Sequence, residues 1–161
     1  MIIGKILRSP HAHARIKSID ITDALAIPGV HAVITGEDFP GGGISGEIDG
    51  EGGGSISDQA KNVIARDKVL YHGHALAAVA AISDRAADRA LDAIKVEYEV
   101  LSPVLDILEA IDPDSVLVNE NNYTKLPEKP DRPSNIANVG NLIRGDIQEG
   151  FGRADVVIER E

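Results

Sequence analysis

The sequence predicts an α+β fold, and three observations carry that prediction. Short stretches rich in Ile and Val, several of them alternating with polar residues, are separated by Pro and Gly turn signals. A nearly continuous run of small apolar residues, His74 to Ile82, reads as a strand buried on both faces. Directly after it, Ser83 is placed to cap a helix from Asp84 to about Ala93. Its Ala86, Ala87, Ala90, Leu91 and Ile94 form one apolar stripe, with Asp84 at the positive end of the dipole.

The remaining elements follow in order. Ile2 to Ser9 reads as the first strand, interrupted by Pro10, whose nitrogen cannot donate to a ladder. Ala14 to Ile21 alternates as a second strand. Thr22 or Asp23 is expected to cap a short helical turn carrying Ala24, Leu25 and Ala26. Pro28-Gly29 marks a turn, and Val30 to Thr35 a short strand after it. Pro40 to Gly54 is expected to be a mobile loop, because eight of the fourteen residues from Gly41 to Gly54 are glycine and ordering them costs backbone entropy. Val63-Ile64-Ala65 and Val69-Leu70-Tyr71 flank a turn at Arg66-Asp67-Lys68. After the helix, Lys95 to Leu101 alternates Val96, Tyr98 and Val100 inward with Lys95, Glu97 and Glu99 outward, so residues 75–101 form a βαβ-like unit of unassigned sheet order. Val104 to Ile111 reads as a short helix stopped by Asp112-Pro113. Residues 119–141 are polar, with three prolines between Leu126 and Pro133, the composition of an extended linker. Asp155 to Glu161 is strand-like and stops without a turn or cap, as if cut within an element.

Composition narrows the function classes. A chain of 161 residues suits one domain. With no Trp, two Phe and three Tyr, its core must be built from Ala, Val, Ile and Leu. The formal net charge of −10 argues against nucleic acid as a partner, and no basic run suits an anionic membrane. The absence of cysteine removes disulfides, thiolate metal sites, iron–sulfur ligation and cysteine nucleophiles, and favours the cytoplasm. No stretch has the length of a membrane span, and the first residues do not form a signal peptide.

Few motifs carry chemistry. Gly41-x-Gly43-x-x-Gly46 fits the dinucleotide fingerprint in spacing alone, since Pro40 precedes it and more glycine follows where a helix N-terminus is needed. Asp49-Gly50-Glu51 lacks the spaced oxygen ligands of a calcium loop. The pairs His11/His13 and His72/His74 are the one plausible metal chemistry, because residues two apart on a strand share a face. Against this, Pro10 puts the first pair in a turn, and polar histidines held by backbone fit equally. The acidic pairs Glu97/Glu99 and Asp112/Asp114 read as a solvated strand face and a turn. Ser9 lacks the strained elbow of a hydrolase nucleophile. From the residues alone, the chain has no catalytic, cofactor-binding or metal site to name.

Two segments in order, Arg8-Ser9-Pro10-His11-Ala12-His13-Ala14-Arg15-Ile16 and Asp67-Lys68-Val69-Leu70-Tyr71-x-Gly73, resemble the opening domain of the molybdenum-binding subunit in the xanthine dehydrogenase and aldehyde oxidase family. So do Ile19-Asp20, Pro28-Gly29-Val30, Val33-Ile34-Thr35-Gly36-Glu37-Asp38, and the stretch Val96-Glu97-Tyr98-Glu99-Val100-Leu101-Ser102-Pro103-Val104. Gly145-Asp146, Phe151 and Ala154-Asp155-Val156-Val157 are similar to the family's exit segment. His74 departs from the acidic residue or glutamine common there, as does the glycine-heavy loop.

The resemblance implies an alpha/beta-hammerhead fold, a mixed sheet with a few short helices. It divides the chain into a hammerhead domain at 1–118, a linker at 119–141, and at 142–161 the start of a connection to a molybdopterin-binding region. It also implies a structural piece of a molybdenum hydroxylase, an oxidoreductase that hydroxylates a C–H carbon of an aldehyde, purine, or aromatic or N-heterocyclic substrate with water-derived oxygen. The family's pterin ligands and general-base glutamate belong to that other region, so the chain alone is expected to be inactive. Molybdopterin would sit in the intact subunit, with iron–sulfur and usually FAD on partner subunits or domains. The expected partners are the rest of the large subunit and those redox subunits, with self-association of the isolated chain. A free-standing metal-binding or protein-interaction module is the alternative.

Overall fold

The computed structural model describes residues 1–39, 47–48, 54–55, 62–126, 128 and 130–160. In chain order its elements are β1 (Ile3–Arg8), β2 (Ala14–Asp20), α1 (Thr22–Leu25), β3 (Val30–Thr35), a 3-10 turn (Gly36–Asp38), β4 (Glu47–Ile48) and β5 (Gly54–Ser55). They continue as β6 (Lys68–Val69), β7 (Ala75–Ala81), α2 (Asp84–Ala93), β8 (Lys95–Val100), α3 (Ile107–Ile111) and α4 (Ile147–Arg153). Two three-stranded sheets form, in the orders β1-β7-β3 and β6-β2-β8, and every ladder in them is antiparallel.

The small apolar run becomes the central strand of the first sheet. On β7, Ala78 stands opposite both Ile6 of β1 and Ile34 of β3. Ala77, Val79 and Ala81 form one core cluster with Ala86, Ala87 and Ala90 of α2. The helix starts as the sequence requires, the Ser83 hydroxyl accepting from the Ala86 N–H at 3.3 Å. A second cluster gathers Ala14, Ala65, Val69 and Leu76. Leu7, Ile19 and Val96 pack against both clusters, so the two sheets share one continuous interior.

Several expectations are corrected. β7 and β8 lie in different sheets, so strand, helix and strand over 75–101 cross between sheets rather than within one. Neither Thr22 nor Asp23 caps α1: Ile21 holds the cap position with no side-chain bond. The Asp20 carboxylate takes the Thr22 N–H at 2.9 Å, an Asx turn one residue earlier. Asp23 is drawn instead to Lys95, at 2.6 Å. Val100, expected inside, is 62% exposed at the end of β8. Residues 155–160 form no strand, since a strand needs a partner and none within the described residues reaches them. Just before them stands α4, unanticipated, capped by Asp146 accepting from the Glu149 N–H at 2.9 Å.

The expected mobile loop lies outside the described residues, except where Glu47–Ile48 pairs with Gly54–Ser55. Residues 118–126 lie against residues 130–138. The Asn135 side chain accepts from the Val118 N–H at 2.9 Å and donates to the Val116 carbonyl at 2.9 Å. Asn122 donates to the Ser134 carbonyl, and Thr124 to that of Ile136.

Gly36 shows how tightly the 3-10 turn is seated. A Cβ there would lie 2.6 Å from the Ala65 carbonyl oxygen and 2.7 Å from the Arg66 Cα, both backbone atoms that cannot swing away. Gly36→Ala should therefore destabilise the fold by about 1–3 kcal/mol, the usual cost of overpacking. Gly140→Ala, which enters open space, should stay within about 0.5 kcal/mol of the parent. Urea unfolding of the three proteins measures both.

Candidate functional site

The two histidine-bearing motifs meet through their backbones. The turn joining β1 to β2 lies against the turn entering β7: the Ser9 N–H donates to the His74 carbonyl at 2.9 Å, and the Gly73 N–H to the Ser9 carbonyl at 3.0 Å. Arg8 adds a guanidinium bond to the Gly73 carbonyl at 2.9 Å. Gly73 has φ of +82°, the left-handed conformation that the tight turn demands.

The rings themselves go separate ways. His11 stands edge-on to Tyr98, with centroids 4.8 Å apart. His13 is buried, and its Nδ1 donates to the Ser102 carbonyl at 2.7 Å. His74 is fully buried, accepts the Leu70 N–H on its Nδ1 at 3.2 Å and stacks on Tyr71 at 4.3 Å. His72 is exposed. The His72/His74 pair thus lies in a turn rather than on a strand, and one ring points out while the other is enclosed. No group of three or more His, Cys, Asp or Glu residues among the described ones could hold a metal ion.

The other candidates are structural in their contacts. Ser9 is buried, and its hydroxyl accepts from the His11 N–H and donates to the His11 carbonyl, which shapes the turn. Burial holds the Tyr98 phenol above its ordinary pKa, with the Ser9 hydroxyl pulling the other way. Glu97 and Glu99 face solvent, and the Asp112 carboxylate accepts from the Asp114 N–H at 2.8 Å. The glycine fingerprint at 41–46 and Asp49-Gly50-Glu51 lie outside the described residues.

Sequence reasoning missed one cluster. Glu120 accepts from Lys68 at 2.8 Å and lies 3.5 Å from Arg15, so residues far apart in the chain assemble beside β2 and β6. No spacing rule could have found it, because Glu120 arrives only through the asparagine-held return of residues 119–138. Beside the cluster opens a cavity of about 390 Å³, lined by His13, Arg15, Lys68, Ser102, Leu117 and Glu120 among others.

Comparison with known proteins places this geometry. The family described as aldehyde oxidase and xanthine dehydrogenase, a/b hammerhead domain, matches residues 1–102. A probable xanthine dehydrogenase component of Bacillus subtilis is 35% identical over 159 residues, 99% of this chain and 18% of that protein. The nicotinate dehydrogenase large molybdopterin subunit of Eubacterium barkeri is 33% identical over 159 residues, 99% of this chain and 32% of that protein. Among solved structures, a Cu,Mo-CO dehydrogenase in its carbon monoxide reduced state superposes with a TM-score of 0.67 at 30% identity, covering 97% of this chain and 19% of that one. The chain thus spans about a fifth of the length of the first of these relatives and of the solved structure.

The Lys68 ammonium holds the Glu120 carboxyl below its ordinary pKa, with Arg15 a smaller contributor. A carboxyl depressed in the folded state stabilises the fold above its unfolded pKa, and the benefit is lost as pH falls through the folded value. Because Glu120 is half-exposed, the gain should be small, under about 1 kcal/mol. Glu120→Gln should flatten the acid limb of stability between about pH 5 and pH 3. Thermal melts across that range, run beside the parent, provide the check; an unchanged acid limb would count against the pairing.

Proposed function

The chain belongs to the aldehyde oxidase and xanthine dehydrogenase family, as its hammerhead domain, and from that premise we propose that it is the structural hammerhead part of a molybdenum hydroxylase large subunit. The match over residues 1–102, set beside a relative about five times longer, carries this reading. The intact enzyme would place water-derived oxygen on a C–H carbon of an aldehyde, a purine, or an aromatic or N-heterocyclic acid. Its electrons would leave through iron–sulfur and usually flavin centres on partners. A cytoplasmic location accords with the lack of cysteine, and no described helix is long and apolar enough to cross a membrane.

We assign no molybdopterin ligand to the described residues of this chain. Where a Cβ is sterically excluded, at Gly29 and Gly36, the room is already taken by Ile82 and by the Ala65–Arg66 backbone. No step of the chemistry is therefore assigned to these residues. Their part is packing. Leu105, Ile107 and Leu108 around α3, and Leu142, Ile143 and Phe151 around α4, all stand more than half exposed. We read these as the faces covered by the rest of the large subunit. On this basis the chain divides into a hammerhead body at 1–118, a connecting segment at 119–141, and a lead into the cofactor-binding region at 142–161.

Two measurements test the reading. The purified 161-residue chain should contain no stoichiometric molybdenum by mass spectrometry and should reduce no dye with xanthine, benzaldehyde or nicotinate. Stoichiometric metal, or turnover, would overturn it. Light scattering at rising concentration should show self-association through the uncovered apolar faces; a monomer throughout would remove that part of the proposal.

A further inference from the structure

The first sheet carries a helix on one face only, and its register fixes what the other face presents. Val79 of β7 stands opposite Lys5 of β1 and Val33 of β3. That row looks toward α2, where Lys5 meets Asp84 and Asp88. Side chains alternate along a strand, so the rows between look the other way. One is Ile6, Ala78 and Ile34, and the next is Gly4, Ala80 and Ala32. Neither row holds a charged or polar side chain. An antiparallel sheet with one wet face normally sets polar residues there.

That outer face is already part interior. Leu76, on the same side of β7 two residues earlier, is fully buried in the cluster of Ala14, Ala65 and Val69. Beyond Leu76 the cover stops: Ile6 is 47% exposed and Ile34 38%. The open part is a trough, with Ala78 and Ala80 as its floor and Ile6 and Ile34 on the flanking strands. Those strands lie about 10 Å apart, two ladder spacings, which is the width of a helix with its side chains. The inner face shows the same design filled. Ala77, Val79 and Ala81 are its floor, and α2 packs there by Ala86, Ala87 and Ala90.

A second copy of the chain is a poor occupant. Three strands over about five residues offer about 250 Å² of face, or about 500 Å² for two copies, roughly half of what a stable interface needs. A segment of the same polypeptide escapes that requirement, because it loses no translational freedom on docking. Relatives that share this domain extend far beyond it: the chain spans 18% of the Bacillus subtilis protein and 32% of the Eubacterium barkeri one. We propose that the trough between Ile6 and Ile34 seats an amphipathic helix from the remaining part of the large subunit, with a stripe of small apolar residues like that of α2. This docking rests on the large-subunit assignment, to which it adds a face and an occupant.

The chain has no cysteine, so Ile6→Cys and Ile34→Cys each place a lone thiol on the trough of the 161-residue chain. In the intact molybdenum-loaded subunit, the same substitutions are read on the peptide that carries position 6 or 34. Labelling by N-ethylmaleimide is referred in each case to the urea-unfolded protein. Both thiols should react within about tenfold of the unfolded rate in the 161-residue chain, and at least about a hundredfold more slowly in the intact subunit. A benzophenone carried on the thiol at 34 should then capture residues of the remaining subunit spaced three or four apart, the repeat of a helical face. Ile34→Lys should leave the melting temperature of the 161-residue chain within about 4 °C of the parent, yet prevent assembly of the intact subunit. That contrast decides the matter if the cysteine variants do not load molybdenum. Equal labelling in the two proteins, capture at alternate residues as in a strand, or capture within a second copy of residues 1–161 would each overturn the docking. Equal labelling in a subunit that carries molybdenum leaves the assignment standing. A chain that exists in cells only as 161 residues removes the assignment, and the occupant with it.

Discussion

The closeness of β7 to α2 is the constraint from which the rest of the structure follows. The facing residues are Ala77, Val79 and Ala81 on the strand and Ala86, Ala87 and Ala90 on the helix, nearly all alanine and all buried. Short side chains bring strand and helix near each other, where each dispersion contact is weak but many are made. A chain without Trp has no large anchor to bridge a wider gap. Because β7 is central in its sheet, that proximity fixes β1 and β3 on either side, and Leu7 on β1 carries the packing onward to the second sheet.

What the sequence made legible follows the same physics. β7, α2 with its Ser83 cap, β1 and β3 could be read because each is determined locally, by periodicity, a capping hydroxyl or a proline. The hammerhead assignment came from many short motifs in one order, and the family match over residues 1–102 bears it out. The sheet order was beyond local reading. Nothing in residues 75–101 tells whether β8 returns beside β7 or pairs with β2, since both alternatives bury Val96 and Tyr98. The N-terminal cap of α1 escaped for a related reason. Thr22 and Asp23 both read as caps in sequence, but the Asp20 carboxylate takes the Thr22 N–H and Lys95 claims Asp23 for an ion pair, so α1 starts without a side-chain cap.

The histidines show a different limit. Spacing suggested chelation, yet spacing within a motif says nothing of what lies opposite. His74 entered the interior because it can accept the Leu70 N–H and stack on Tyr71, so its polar edge is satisfied without a metal. His11 reached the edge of Tyr98 because the Ser9 hydroxyl folds the turn back on itself. The Lys68–Glu120 cluster was invisible for the converse reason. Its members gain significance only from a return path set by Asn122, Thr124 and Asn135, whose amides and hydroxyl bond to backbone and not to one another.

These two habits of the chain, polar side chains bound to backbone inside and large apolar ones left outside, belong together. A side chain committed to a carbonyl or an amide is held in one orientation and is not free to move a proton or ligate a substrate. Ser9, His74, Asn122 and Asn135 are committed in that way. Such an interior favours one rigid arrangement of the turns, which is what a part that positions other parts requires. The exposed Leu105, Ile107, Leu142 and Ile143 then carry the complementary half of the argument. Their burial would repay about 25 cal/mol for each Å² of apolar surface covered, a gain available only on assembly. Rigidity within and adhesion without describe a scaffold, and His13, with one nitrogen bound and the other unclaimed, is the point at which that division is incomplete.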